Sequence, residues 1–351
     1  MNPNQMNLNP MAVEATLQGL FDTLKKAGVS TSAVSGLQLV REDLSPVLAL
    51  MLPTETPIRN LLKRIPGNGN AHSWYQQVAQ ADTDGSLFFG TAPSGAAFAA
   101  GQLPVKKASK YNRVSAPYVQ LGDSVSVTFF DYFAGRSYID VLSHESDVAM
   151  MNTALIEEWM ILNGDSSVNP LYFDGLLKQV NTNVVDAGGI QFKLSHIAQA
   201  QQNAYDLGGT TRINVMSTRM KRKVTDLVVA SYFGIRQMSS VSGASKFEGG
   251  LNVDSWDFGY GMTDLIQSRF MQPGAGMSGG KNETILCLDH DTMGKDGNAI
   301  EMVDLLPVSL FDLALVSSSY QKLVMEITLL KLTSPNFQAK VVNLAAPTYN
   351  T

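Results

Sequence analysis

At 351 residues, with 44% hydrophobic and 16% charged residues and a formal net charge of −5, the chain has ample material for a core, which excludes global disorder, and it lacks the strong basic surplus of a protein whose main task is gripping DNA. A single cysteine, Cys287, rules out an intrachain disulfide, and no stretch approaches the roughly 18 uninterrupted apolar residues of a membrane span. The length suits roughly two domains of about 100–200 residues each, and the polar start MNPNQMNLNPM lacks the pattern of a secretory signal, so a soluble product of a cytoplasm is expected.

In chain order, the first twelve residues are rich in Asn, Pro and Gln. A short amphipathic helix is predicted from Val13 to Ala27, with Leu17, Leu20, Phe21 and Leu24 on one side and Gly28 as its stop. A second short helix is expected around Leu44 to Met51, with Pro46 in its first turn, before Pro53 and Pro57 break regular structure. Between residues 67 and 120 the texture changes. Strand-like runs HSWYQQVAQ and NRVSAPYVQLGDSVSVTFF flank a middle of small residues, GTAPSGAAFAAGQLP. Two strands with a long small-residue tip make an extended hairpin, which is only marginally stable in water by itself and so needs contacts from elsewhere.

The stretch from Ser137 to Leu177 reads as one long helix, an abrupt stop, a polar turn and a Gly-Leu-Leu step. The helix is predicted over Ser137 to Asn163, about 40 Å at about 1.5 Å per residue. Ser137 and Asp140 have capping-box spacing, and Val148, Met151, Leu155, Trp159 and Leu162 form an apolar stripe. His144, Glu145, Asp147, Glu157 and Glu158 fall largely off that stripe, and Asn163-Gly164 tolerates left-handed geometry and ends the helix.

Beyond it, Lys178 to Lys193 suggests a turn-rich β segment, and Leu194 to Leu207 a helix with Ser195 as cap and Gly208-Gly209 as stop. Arg212 to Met216 is a strand. Ser217 or Thr218 caps a further helix to about Phe233, ended by Gly234. Gly243 to Gly261 is rich in glycine and aromatics, Pro273 to Lys281 is a loop, and Thr284 to Asp289 is a strand. Leu323 to Leu332 and Phe337 to Leu344 read as a hairpin around Ser334-Pro335-Asn336. Helices and strands mix without a βαβ rhythm or a repeat, which indicates α+β.

No candidate chemistry completes a pattern. Asp289, His290, Asp291 and Asp296 match no full set of calcium or zinc ligands and read as a solvated turn, as does Asp82-Thr83-Asp84-Gly85. PGAGMSGGK lacks the Gly-Lys-Ser/Thr exit of a phosphate-binding loop. No Gly-x-Ser-x-Gly elbow is present, and His72, His144, His196 and His290 lie in unrelated contexts. Glu157 and Glu158, adjacent on a helix, point about 100° apart and are no acid–base pair. Catalytic, cofactor-binding and metal sites are therefore all expected to be none. Two basic clusters remain, Lys106, Lys107, Lys110 and Arg113 on the hairpin's returning arm, and Arg219, Lys221, Arg222 and Lys223 at the start of a helix; without interleaved aromatics they are weak nucleic-acid contacts.

The long helix ending in Gly164-Asp165, the Ser/Asn/Pro-rich residues after it and the Gly175-Leu176 step resemble the major capsid proteins of tailed bacteriophages, whose coat fold is shared with encapsulin shells. The stretch AYDLGGTTRINVMSTRMKRKVTDL, from Ala204 to Leu227, fits the same order of elements, and the resemblance covers most of the chain beyond about residue 60. It implies an N-terminal arm over 1–65, an extended E-loop hairpin over 66–120, a P-domain with the spine helix over 121–177, an A-domain over 178–305, and P-domain C-terminal strands over 306–351. It further implies a structural shell subunit forming hexamers and pentamers of an icosahedral phage head around a double-stranded DNA genome held without sequence-specific binding. A separate scaffolding protein, a portal and decoration proteins are the expected partners. Hairpin cations Lys106, Lys107, Lys110 and Arg113 would meet acids such as Glu145, Asp147 or Glu157 on an adjacent subunit, setting register more than affinity. The alternatives are an encapsulin-like shell subunit and, in a different class, an α+β metal- or ligand-binding enzyme with its site near Asp289 to Asp296.

Overall fold

The computed structural model describes residues 55–79, 98–103, 110–136, 139–239, 254–271, 282–290, 298–315 and 317–345. The chain divides into residues 1–51 and 52–351, and all described residues belong to the second unit. The expected helices at Val13 to Ala27 and Leu44 to Met51 lie outside the described residues, as do the hairpin tip, Lys106, Lys107 and the loop from Pro273 to Lys281.

The described residues open on a short helix α1 (Pro57–Leu61) and strand β1 (Lys63–Pro66). Pro57 does not break structure here: it occupies the first helical turn, where its missing N–H costs nothing. Strands β2 (Ala71–Ala79) and β3 (Lys110–Pro117) pair antiparallel as a two-stranded ribbon. The long run predicted as one returning strand divides at Tyr118, and β4 (Val119–Thr128) joins a different sheet. Its burial alternates residue by residue, as a strand with one face on a core requires.

Helix α2 (Phe129–Gly135) follows, capped by Thr128, whose hydroxyl accepts from the Asp131 N–H at 3.2 Å. The long helix α3 is Val141–Asn163, 23 residues and about 35 Å. It begins later than predicted. Asp140, not Ser137, is the N-cap, its carboxylate accepting from the Ser143 N–H at 3.3 Å. The face laid most deeply on the sheet is also not the predicted one: Ser146, Ala149, Thr153 and Glu157 are buried, while Val148, Met151, Leu155 and Trp159 are only partly covered. Small side chains on that face let the helix approach β4 closely, and Ser146 and Thr153 satisfy their hydroxyls on the carbonyls of Leu142 and Ala149, four residues back.

After α3 come a one-turn helix α4 (Leu176–Gln179), strand β5 (Asn183–Asp186), helix α5 (Leu194–Asp206), strand β6 (Ile213–Met216) and helix α6 (Thr218–Ser239). Lys193 rather than Ser195 is the N-cap of α5, with His196 Nδ1 accepting from the Lys193 N–H. Gly208, at φ +95°, supplies the left-handed turn that the Gly208-Gly209 stop predicted. Ser217 caps α6 as expected, accepting from the Met220 N–H at 3.3 Å, but Gly234 does not end that helix.

Strands β7 (Ser255–Asp257), β8 (Met262–Gln267), β9 (Glu283–Leu288), β10 (Ile300–Asp312), β11 (Ser319–Leu332) and β12 (Ala339–Leu344) complete the fold. One sheet has the order β1-β10-β11-β4 and carries α3; the other has the order β5-β12-β9-β6-β8-β7 and carries α5 on β5 and β12 and α6 on β8. The expected β11–β12 hairpin does not form. β11 is flanked by β10 and β4, and β12 crosses to the second sheet between β5 and β9, so residues 306–351 do not all stay with the long helix. The sheets share a core in which Ile58, Met160, Ile161 and Leu162 meet Val215, Leu286, Ile300 and Leu330.

Candidate functional site

The residues that suggested chemistry are structural. Asp289 is fully buried; its carboxylate accepts from the Thr210 N–H at 2.8 Å, and its backbone exchanges two hydrogen bonds with the Gln338 amide. Asp291 and Asp296 lie outside the described residues, and among the described residues no group of three or more His, Cys, Asp or Glu side chains is arranged to hold a metal. The histidines sit on separate elements: His72 on β2, His144 on α3, His196 on α5 and His290 after β9. Cys287 is buried in β9, and burial pushes its thiol up to about 12, which keeps it inert. No helix is long and apolar enough to cross a membrane among the described residues.

Two built features stand out instead. The first is a cluster of charge behind the long helix. Glu157 is fully buried, with Arg59 and Arg64 on its two oxygens. Arg64 also donates to Asp304 at 2.9 Å and to Glu326 at 2.7 Å, and Asp304 accepts from the Thr328 hydroxyl at 2.7 Å. Glu158, also fully buried, accepts the backbone N–H groups of Ile58 and Arg59 at 3.2 and 2.6 Å, which anchors α1 to α3. Burial raises the Glu158 carboxyl, partly offset by those two N–H groups. Burial and the neighbouring Glu157 raise Glu326 to about 7, against the pull of Arg64. Burial alone would lower the Arg64 guanidinium, but Glu157, Glu326 and Asp304 together raise it. Glu157 therefore serves its own chain and is not available to a neighbouring subunit. A sequence pattern of two adjacent acids gives no hint of partners about a hundred residues away.

The second feature is the turn after α3. The N–H of Gly175 donates to the carbonyl of Gly164 at 2.8 Å, closing the loop between them. Gly164 is not left-handed, as predicted, but has φ −55°. It is needed because a Cβ there would lie 2.2 Å from the Phe173 carbonyl oxygen, and one at Gly175 would lie 2.7 Å from the Gly164 nitrogen. Lys178 fastens the same loop, donating to Asp165 at 2.7 Å, Asp174 at 2.9 Å, and the hydroxyls of Ser166 and Ser167. The bonds from Lys178 hold the Asp165 carboxyl below its usual range, and both aspartates raise Lys178.

On the surface, the ribbon's outward face presents Tyr75 and Tyr111 with Arg113, which opposes Tyr75 across the strands. Arg113 donates to the Ser73 hydroxyl at 3.2 Å. Sequence reasoning picked out Arg113 and Lys110, which opens β3, but not the tyrosines, although the every-second-residue spacing from Tyr111 to Arg113 was there to read. The inner face is tied to its own chain: Trp74 is buried and Gln76 donates to the Thr333 carbonyl at 2.8 Å. Glu145 and Asp147 are exposed on the first half of α3. Glu145 rims a groove of about 400 Å³ between α3, α2 and β4, with Asp123 and Asp131 as its other carboxylates and Val125, Val127, Val141 and Ala149 among its lining. Among the described residues, no lysine or arginine lines it.

A family model described as SU10 major capsid protein matches residues 25–296. No curated protein matches the sequence. Among solved structures, the capsid of a native GTA particle is similar at 13% identity and TM-score 0.61, covering 90% of this chain and 99% of that one. The holo-SrpI encapsulin complex from Synechococcus elongatus PCC 7942 is similar at 13% identity and TM-score 0.57, covering 90% and 96%. The capsid of Cyanophage A-1(L) is similar at 11% identity and TM-score 0.58, covering 89% and 98%. At these identities the likeness is one of fold.

Proposed function

Because the chain belongs to the SU10 major capsid protein family, and is therefore a structural, non-enzymatic subunit of a virion capsid, we propose that it closes its shell through the β2–β3 ribbon of one copy lying in the acidic groove of the next. The ribbon and its tip serve as the E-loop. The four-stranded sheet with α3 serves as the P-domain and spine, and the six-stranded sheet with α5 and α6 as the A-domain. Residues 1–54 serve as the N-terminal arm, while α1 and β1 belong to the body they pack against. Copies form hexamers and pentamers of an icosahedral head around a double-stranded DNA genome bound without sequence preference, with a separate scaffolding protein, a portal and decoration proteins as partners.

The observation that carries the ribbon contact is complementarity. The outward ribbon face offers Arg113 and two exposed tyrosines, and the groove offers Asp123, Asp131 and Glu145 over apolar lining. Single rim pairs contribute about 0–1 kcal/mol, so their effect is on register, and the shell gains strength from many modest contacts acting together. The family match favours a phage head over an encapsulin shell. The test is charge exchange. R113E is expected to abolish particles in electron micrographs while leaving the subunit folded, and adding E145K is expected to restore them. Normal particles from R113E would overturn the ribbon assignment.

A further inference from the structure

The charge cluster behind the long helix is divided between two parts of the chain. Its cations come from one short segment, Arg59 on α1 and Arg64 on β1. Its acids come from the body: Glu157 and Glu158 on α3, Asp304 on β10 and Glu326 on β11. The segment has few other holds. α1 has five residues and β1 four, and β1 pairs along β10 at the edge of its sheet. Ile58 and Leu62 are its buried apolar side chains, and the Glu55–Arg269 pair, at 3.7 Å, is exposed and adds little. Two N–H groups of α1 end on Glu158, and the Gly67 N–H, just past β1, donates to the Asp304 carbonyl at 2.8 Å. In the chain, this segment joins residues 1–54 to the ribbon.

Closed, the cluster confines two more carboxylates than guanidiniums. Glu326 carries that excess: Arg64 takes one oxygen, and the other, fully buried, has no partner among the described residues. The groups facing Glu326 are Glu157 from α3, Asp304 from β10, and Arg59 and Arg64 from α1 and β1. From β4, Leu121 pairs opposite it, and Asp123 follows two residues on, toward the groove. A buried carboxylate without full pairing is costly, and a proton removes that cost. With α1 and β1 lifted, Glu157 loses both arginines, Glu158 loses both N–H groups, and the glutamates ionise freely in water. Closure therefore takes up a proton that opening releases. Burial raises the carboxyls of Glu158 and Glu326, the latter to about 7, which agrees with that sign.

We propose that α1 and β1 are a proton-operated latch, clasped to the body while Glu326 holds a proton and released as a unit, ahead of global unfolding, when that proton leaves. Acid tightens it: the proton's contribution is full below about 4.5, declines as pH rises, and is gone above about 7. What the latch holds rests on the shell reading above. The segment lies where the arm and the ribbon join the body, so its state sets how firmly both extensions are fastened there.

The test is hydrogen exchange on unassembled subunits at pH 6 and pH 8, corrected for the intrinsic rate at each. The reporters are the amides of Ile58, Arg59, Leu62 and Gly67, and the buried strand β9 marks global unfolding. A carboxyl that moves between about 7 closed and 4.5 open predicts reporter protection about tenfold lower at pH 8 than at pH 6. At both pH values that protection should lie well below the protection of β9. In Glu326→Gln the reporters should keep at pH 8 the protection the parent has at pH 6. Protection in the parent that does not change with pH, or that equals the protection of β9, would overturn the latch without any variant. A tenfold fall that persists in Glu326→Gln would overturn it too. These readouts are taken on the free subunit, so the latch can fail while the shell reading stands, and particle formation tests that reading separately.

Discussion

Glu326→Gln is a direct test of the charge cluster behind the long helix. Glu326 is fully buried on β11; one carboxylate oxygen accepts from Arg64 at 2.7 Å and the other has no partner among the described residues. Burial and Glu157 raise its carboxyl from 4.5 to about 7. A folded value above the unfolded one means the native state holds a proton that the unfolded chain releases. The favourable contribution is thus full below about 4.5, declines as pH rises toward about 7, and is gone above it. The gap corresponds to about 3 kcal/mol, and coupling to Glu157 and Arg64 brings the usable figure nearer 1–3 kcal/mol. The glutamine amide has the same shape, keeps an acceptor for Arg64 and does not titrate. The variant should match the parent near pH 5 and exceed it by about 1–3 kcal/mol at pH 8. The assay is urea denaturation of unassembled subunits at both pH values, because assembly would couple stability to concentration. A variant less stable than the parent at pH 8, or offset by the same amount at both pH values, would refute the assignment of the titrating group.

Other outcomes follow from neighbouring geometry. Arg64→Ala leaves Glu157, Glu326 and Asp304 without their shared cation and should cost about 3–5 kcal/mol, read as a fall in the denaturation midpoint. Gly164→Ala drives a Cβ to 2.2 Å from the Phe173 carbonyl and should cost roughly 1–3 kcal/mol or more, whereas Gly188→Ala, with nothing within 4 Å but φ +61°, should cost about 1–2 kcal/mol. Lys178→Met removes the clasp on the loop after α3, and hydrogen exchange at Ser166 and Ser167 should speed up several-fold while the strands of both sheets keep their protection.

The parts of the fold legible in the sequence were those set by local periodicity. The long helix, the paired ribbon strands, the Gly208-Gly209 stop and the Ser217 cap all carry their cause within a few residues. What sequence could not show was pairing at a distance. β11 and β12 are neighbours in the chain and read as a hairpin, but β4 already occupies the edge of β11 opposite β10, and β12 finds β5 and β9 in the other sheet. Glu157 and Glu158 read as off-stripe acids because an acid on a helix is ordinarily solvated; their burial depends on Arg59, Arg64 and two backbone N–H groups supplied by α1 and β1. The predicted stripe of large apolar residues was likewise displaced, since close approach of the helix to β4 selects Ser146, Ala149 and Thr153. Gly164 was correctly identified as the helix stop for the wrong reason, because a close backbone approach leaves no periodic trace. On the surface, Arg113 and Glu145 could be chosen by charge alone, while the groove that Glu145 rims required α3, α2 and β4 to be placed together.

The measurement to make first is electron microscopy with sedimentation on the chain alone and co-expressed with its neighbouring gene products. Closed shells, tubes or rings of six are expected once the scaffolding partner is present. A monomer under every co-expression condition would contradict the assignment as a shell subunit.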